Sequence, residues 1–524
     1  MLARTRPDDE STRRHAQAGV AILWVIWLCT TFHTSTDPQV MGRYSARFFA
    51  ALCVYLAFSL IVTILAVIPS FPLRRAFRWL AKAPRLAWIV GAALGGLLWA
   101  AVPMQPATKL YPSAVLLLGV WLLMEEAPPD AAWWGTEWLV RCFLVLIVLG
   151  LVIQLVVLLY LPSIHTFDEG SYAHAATDYL RTGLLTERIF GYPPRHYTGS
   201  IGSWAVTLAY WLQTFGFGWW QGRLYALLAS GLALPAIYVA GSPLYDRKAG
   251  AAAAAFMALS NTFLETHRVR PDAPMLLMVS ATLGTFLMAR RRSQAWLHFL
   301  VGFLAALSAE AHLLALAFWG VYATLYGLGW LRQCPKARRP VWRAPLALFV
   351  AGSIPPAALY FVTHLLPALG KPLSVMRTPQ WSCPIELLGK EVTRWAEYVS
   401  SYPLEAMLVL GAVFLALRRR KPEDRLLTGF LGLLLLAYVF AAPTEWSHYT
   451  RYFLPVWALL VGAMLAGKYA LKPAFAFVTV VLLFGALVGQ ARKAWPKVMT
   501  NGPFQRPTPD VVEFVAANIP PGST

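Results

Sequence analysis

Apolar runs of about 15 to 25 residues recur along almost the whole chain, separated by short polar or basic turns, which is the pattern of helices that cross a bilayer. The runs predict spans near 17–32, 45–69, 86–102, 110–124 and 138–162, then one at 222–241. Nine more follow, near 249–264, 273–289, 295–310, 311–331, 344–362, 403–417, 426–442, 452–466 and 474–490. The expected fold is an all-α polytopic membrane bundle of about fifteen transmembrane helices, with long outer loops at about 163–221 and 363–402. Gly199 to Phe215 is also apolar, but Trp204, Tyr210, Trp211 and Gln213 suit the headgroup level better than the hydrocarbon core. Roughly 171–215 is therefore expected to lie in the interface as surface helices. The Ala251–Ala255 run points to a close contact between helices.

Composition sharpens this reading. The 524 residues are 58% hydrophobic and 13% charged, where a soluble domain carries about a quarter charged residues. The formal charge of +20 falls in short clusters between apolar runs, such as Arg247-Lys248, Arg290-Arg291-Arg292 and Arg418-Arg419-Arg420-Lys421. Such clusters mark cytoplasmic loops and exclude nucleic acid as the partner. Placing them inside puts the N-terminus in the cytoplasm, Asp168-Glu169 outside and the C-terminus outside. The basic N-terminus followed by the run 18–32, with no small-residue cleavage site, reads as a retained signal anchor. The five cysteines form no C-x-x-C pair, so neither a disulfide framework nor a zinc site is expected.

With the sides assigned, the unusual polar residues gather outside. They are Asp168 and Glu169 after the 138–162 span, Arg195 and His196, the turn His267-Arg268-Val-Arg270-Pro-Asp272, and His448-Tyr-Thr-Arg451-Tyr452. Polar clusters at separate outer turns of so apolar a chain point to one outward-facing site. Each has a plainer explanation beside it. Asp168 would cap a helix starting at Gly170 with Glu169 in its first turn, and Pro271-Asp272 would only open a helix. Arg451 would snorkel to the surface and Tyr452 would join the interfacial belt, with His448 on the same helical face. His312 reads as a satisfied bundle histidine. The chemistry that suits these groups is transfer from a lipid phosphate. A carboxylate deprotonates an acceptor hydroxyl, and Arg and His bind the departing phosphate.

The order of these motifs resembles the GT-C class of membrane glycosyltransferases. The resembling branch is the protein O-mannosyltransferase and aminoarabinose transferase (dolichyl-phosphate-mannose-protein mannosyltransferase-like) group. It rests on Asp168-Glu169 after a span, the surface segment, the R-x-R-P-D turn and His448-Tyr-Thr-Arg451-Tyr452-Phe-Leu-Pro455, and it covers about 138–490. The resemblance implies a GT-C-type bundle, a polyprenyl-phosphate sugar donor and inverting transfer to an acceptor hydroxyl at the outer membrane face. Asp168 takes the place of the catalytic acid with Glu169 as its partner, and Asp272 that of the acid in the second outer turn. Arg451-Tyr452 match the late Arg-Tyr pair. Arg268, Arg270 and His448 join the donor-phosphate set with Arg195 and His196. Those last two follow the prolines in Tyr192-Pro193-Pro194-Arg195-His196, whereas the family places its cation before them. No cofactor and no metal are expected, and the partners are the lipid-linked sugar, an acceptor and membrane lipids. The domain reading is 1–137 as a cytoplasmic tail with four extra helices, 138–490 as the catalytic core, and 491–524 as an outer-face tail that begins a soluble domain. Two rivals remain at this point: a transporter or lipid flippase, and a catalytically silent subunit of the same fold.

Overall fold

The computed structural model describes residues 136–160, 167–183, 186–187, 195–196, 202–217, 219–292, 294–312, 314–333, 345–366, 384–441 and 447–466, with a few positions between 479 and 487. The four spans expected before residue 136, most of the one at 474–490 and the tail 491–524 lie outside them. In chain order the helices are α1 (Thr136–Tyr160), α2 (Phe167–Thr182), α3 (Gly202–Phe215), α4 (Trp219–Gly231) and α5 (Ala233–Leu244). Next come α6 (Arg247–Leu259), the single turn α7 (Asn261–Leu264), α8 (Asp272–Arg291), α9 (Ala295–Ala311) and α10 (Ala315–Gln333). The last are α11 (Pro345–Tyr360), α12 (Pro384–Ser401), α13 (Pro403–Arg419), α14 (Pro422–Ala441) and α15 (Leu454–Ala466). The described residues are otherwise helical turns and loops, save one short antiparallel pairing of β1 (Thr186–Glu187) with β2 (Arg195–His196). Four helices open on a proline, whose missing N–H costs nothing in a first turn.

Five stretches among the described residues are long and apolar enough to cross a membrane: Leu139–Val156, Trp220–Leu244, Asp272–Arg291, Pro345–Thr363 and Tyr449–Ala466. The expected span at 222–241 is thus α4 and α5 running on through Leu232. α1 shows why the environment is lipid: Leu144, Val145, Val148, Leu149 and Val152 are all exposed, and a helix apolar on every side suits a bilayer. Its other face meets α6 closely. A Cβ at Gly150 would come within 2.8 Å of Leu259, and Gln154 Nε2 donates to the Ala258 carbonyl at 2.5 Å. Gln154 therefore serves the helix contact.

The run 249–264 is not one unbroken helix: α6 has 13 residues, and after Ser260 the turn α7 and a 3-10 turn carry the chain on to His267. α6 is the enclosed centre of the bundle, buried from Ala249 to Leu259 and packed between α1, α5 and α15. Its alanines allow that approach, as does Gly462, where a Cβ would lie 2.4 Å from the Ala249 carbonyl. The second half of the expected outer loop 363–402 is the helix α12, bent by 114° from α13. α12 turns Glu391 and Arg394 inward, paired with each other, and leaves Leu388 and Val392 exposed.

The helices α6, α8, α13 and α15 run between two polar ends of the bundle. At one end Tyr245 donates to Asp424 at 2.8 Å, and Arg419 is ion-paired to Asp424 at 3.3 Å. The same Arg419 reaches the Ala463 carbonyl at 3.4 Å. The basic clusters at 247–248, 290–291 and 418–420 belong to helix termini at this end. The other end joins Asp272 and Glu265 to Arg451.

Candidate active site

The site is built on the turn between α6 and α8. α6 stops at Leu259, and the Ser260 hydroxyl caps α7 by accepting from Phe263 N at 2.9 Å. One 3-10 turn, Glu265–His267, follows, and Arg268 leaves it with extended backbone. Pro271 then caps α8, and Asp272 is its first residue. The backbone is the helix start the sequence suggested. The side chain does more than meet the helix dipole, because Asp272 is fully buried with both oxygens engaged.

Its partners come from the turn Ser447–Phe453, about 180 residues later. Arg451 Nη1 donates to Asp272 Oδ2 at 2.8 Å, and the Tyr452 hydroxyl donates to Oδ1. Arg270 Nε is ion-paired to Oδ2 at 3.1 Å. Arg451 also donates to the Glu265 carbonyl at 3.2 Å and pairs with Glu265 Oε2 at 3.4 Å. The Tyr402 hydroxyl, at the bend between α12 and α13, donates to Glu265 Oε1. Snorkelling and an interfacial belt are therefore the wrong descriptions: Arg451 is 1% exposed and Tyr452 fully buried. The 3-10 winding also differs from the α-helical face expected for 448–452, and it lets consecutive residues reach one carboxylate.

A buried ion pair is tolerated only when the remaining lone pairs and protons find partners, and removing one partner costs about 3–5 kcal/mol. Asp272 meets that condition. Two guanidiniums, Arg270 and Arg451, face two carboxylates, Asp272 and Glu265, and the charges cancel within this cluster. Around it sit neutral imidazoles. Burial and then the Arg451 charge hold His267 down to about 3, and its ring packs edge-on against Phe263 with no hydrogen bond at either nitrogen. His312, at the end of α9, is half-buried, with its ring against those of Tyr449 and Tyr452. Its Nδ1 accepts from Leu314 N at 3.2 Å, so it is the satisfied bundle histidine the sequence suggested. Behind the turn, Glu405 accepts from Asn261 N and from the Thr262 hydroxyl, which ties the start of α13 to α7.

Asp168 and Glu169 lie in the first turn of α2, which begins at Phe167 rather than at Gly170. Arg195 and His196 form β2, in register with Glu187 and Thr186. The side chains of these four residues, and that of His448, fall outside the described part. The helix that carries Asp168 nevertheless docks where Asp272 is. A second apolar cluster packs Tyr172, Ala175 and Ala176 of α2 with Trp204 and Leu208 of α3 and with Val269 and Ala273, the residues that flank Arg270 and Asp272. The structure thus brings Arg270, Asp272, Arg451 and Tyr452 into contact and sets half-buried Arg268 in the same turn. Sequence reasoning missed Glu265 and Tyr402. The available signal was an acidic residue ending an alanine-rich apolar run.

Residues 200–350 match the family described as dolichyl-phosphate-mannose-protein mannosyltransferase. No curated protein sequence matches the chain. Among solved structures, the chain is similar to ArnT from Cupriavidus metallidurans bound to undecaprenyl phosphate, with a TM-score of 0.50 at 15% identity over 72% of this chain and 81% of that one. The apo state of the same ArnT gives 0.48 at 16% identity, over 67% and 77% of the two chains. An oligosaccharyltransferase from Archaeoglobus fulgidus, in complex with Zn and sulfate, gives 0.42 at 14%, over 72% and 56%. This chain is a multi-pass membrane protein with the fold of ArnT, and it resembles the mannosyltransferase-like glycosyltransferases of the GT-C class.

Proposed function

We propose that the protein is a GT-C glycosyltransferase that moves a sugar from a polyprenyl-phosphate donor to an acceptor hydroxyl at the outer membrane face, with inversion. The observation that supports this most is the meeting of Asp272, Arg270, Arg451 and Tyr452 from two distant turns, beside the helix that carries Asp168. The undecaprenyl phosphate bound by ArnT, the structural neighbour, supports the donor class.

In this reading Asp168 takes the proton of the acceptor hydroxyl, with Glu169 shaping its charge. The acceptor oxygen forms a bond to the anomeric carbon from the side opposite the phosphate. The bond from that carbon to the phosphate oxygen breaks, and its electron pair leaves with the phosphate. Arg451, with Arg270, Arg268 and the cations at 195, 196 and 448, neutralises that charge. Asp272 and Tyr452 hold Arg451 in place; with both its oxygens engaged, Asp272 acts through the guanidiniums. The core is 138–490, the N-terminus is cytoplasmic and the 491–524 tail is outside. The lipid-linked sugar is a co-substrate, and no resident cofactor enters the scheme.

A positioned base contributes roughly 10²–10⁴ in rate. Purified protein given a polyprenyl-phosphate sugar and an acceptor should release polyprenyl phosphate, and Asp168→Asn should lower that release by about 100-fold or more. A well-folded Asp168→Asn protein with near wild-type turnover would remove Asp168 as the base.

A further inference from the structure

Arg451 is held by two carboxylates of different standing. The Asp272 side chain is 1% exposed and lies 2.8 Å from Nη1, whereas the Glu265 side chain is 35% exposed and lies 3.4 Å from Nη2. Asp272 is closed off from solvent, so losing Arg451 would weaken the pairing of a buried charge with no water to replace it, even with Arg270 and the Tyr452 hydroxyl in place. Glu265 depends less on the pair: its other oxygen has the Tyr402 hydroxyl, and part of the carboxylate already faces solvent. A phosphate, like a carboxylate, offers a guanidinium two oxygens that accept parallel hydrogen bonds. Arg270 and Arg451 are balanced by Asp272 and Glu265, so an anion that comes to Arg451 meets a guanidinium already paired with a carboxylate.

We infer that Glu265 is a displaceable counter-ion that competes with the substrate's phosphate for Arg451. The inference rests on the proposed polyprenyl-phosphate reading and adds a residue to it. Binding of the phosphate moves Glu265 off Nη2, while Asp272 keeps Nη1 and the orientation of the guanidinium. When the sugar has gone and the lipid phosphate must leave, the carboxylate retakes the donor and helps expel it. Tyr402 sets how readily this happens, because its hydroxyl fixes Oε1 and so aims Oε2 at Arg451.

The consequence has an unusual sign: deleting a native contact should strengthen ligand binding. Glu265→Gln removes the competing charge and keeps an acceptor for Tyr402. Tyr402→Phe keeps the charge but frees it to swing away. The full-length protein in lipid nanodiscs is titrated with undecaprenyl phosphate and, separately, with inorganic phosphate. Glu265→Gln should tighten both by about tenfold, and Tyr402→Phe should tighten them by a smaller factor. Unchanged or weaker binding in variants that melt like wild type would overturn the inference. If Glu265→Gln does not fold, the same outcomes for Tyr402→Phe decide. A gain for the lipid with none for inorganic phosphate would place the effect on the chain and also overturn it. Wild-type protein that binds no undecaprenyl phosphate would remove the underlying reading, a result distinct from binding that Glu265 leaves untouched.

Discussion

The two ends of the bundle use the same parts. At one, buried Asp424 receives the Tyr245 hydroxyl and an ion pair from Arg419. At the other, buried Asp272 receives the Tyr452 hydroxyl and an ion pair from Arg451. At the first end, Arg419 goes on to a backbone carbonyl of α15, so the cluster staples helices. At the second, Arg451 continues to Glu265, a partly exposed carboxylate, with Arg270, buried His267 and half-buried His312 alongside. An Asp–Arg–Tyr triad inside a membrane bundle is therefore no sign of chemistry by itself. What distinguishes the candidate site is an additional pair of ions, Arg270 and the partly exposed Glu265.

The largest effect should come from removing each aspartate. Asp272→Ala takes the shared carboxylate from buried Arg451 and from Arg270 and should cost about 3–5 kcal/mol, whereas Asp424→Ala takes it from half-buried Arg419 and should cost less, both read from melting in detergent. Only Asp272→Ala should also abolish transfer per folded molecule; equal activity losses would erase the distinction between the ends. Next are the phenols. Tyr452→Phe and Tyr245→Phe each remove a hydrogen bond to a charged group, worth about 1.5–3 kcal/mol. Turnover should drop with Tyr452→Phe and hold with Tyr245→Phe.

The smallest effect is acid sensitivity. His267 is held at about 3 against 6.5 when exposed, so below about pH 6.5 the unfolded chain binds a proton that the folded one refuses. Stability then falls as pH drops from 6.5 toward 3, by roughly 1 kcal/mol at about pH 5.5 for one such group. Melting temperature against pH should be flatter for His267→Gln than for wild type. The same slope in both would assign the acid sensitivity elsewhere.

Much of this was legible in the sequence because bilayer thickness fixes helix length and apolar runs reveal it. α8, α9, α10, α14 and α15 lie within a few residues of the runs that predict them. The R-x-R-P-D turn and Arg451-Tyr452 stood out because charge is rare in so apolar a chain. Other parts left weaker marks. α12 hides its charged pair and shows Leu388 and Val392 outward, the reverse of the pattern that identifies a helix in water. α6 reads as one more apolar run, and its place at the enclosed centre follows from alanine size, which hydropathy does not report. Nothing singles out Asp424 and Tyr245 in the sequence, since a contact across 179 positions has no local signature. Glu265 and Tyr402 escaped for the same reason, being 137 residues apart.

The account turns on one of the two ends handling phosphate and the other not, and affinity for undecaprenyl phosphate tests it directly. Arg451→Lys keeps the charge but loses the fork that reaches two partners, and Arg419→Lys makes the same change at the opposite end. Binding by the purified full-length protein should weaken by about tenfold or more with Arg451→Lys and stay near wild type with Arg419→Lys. Equal affinities in the two variants, or no binding by the wild type, would contradict it.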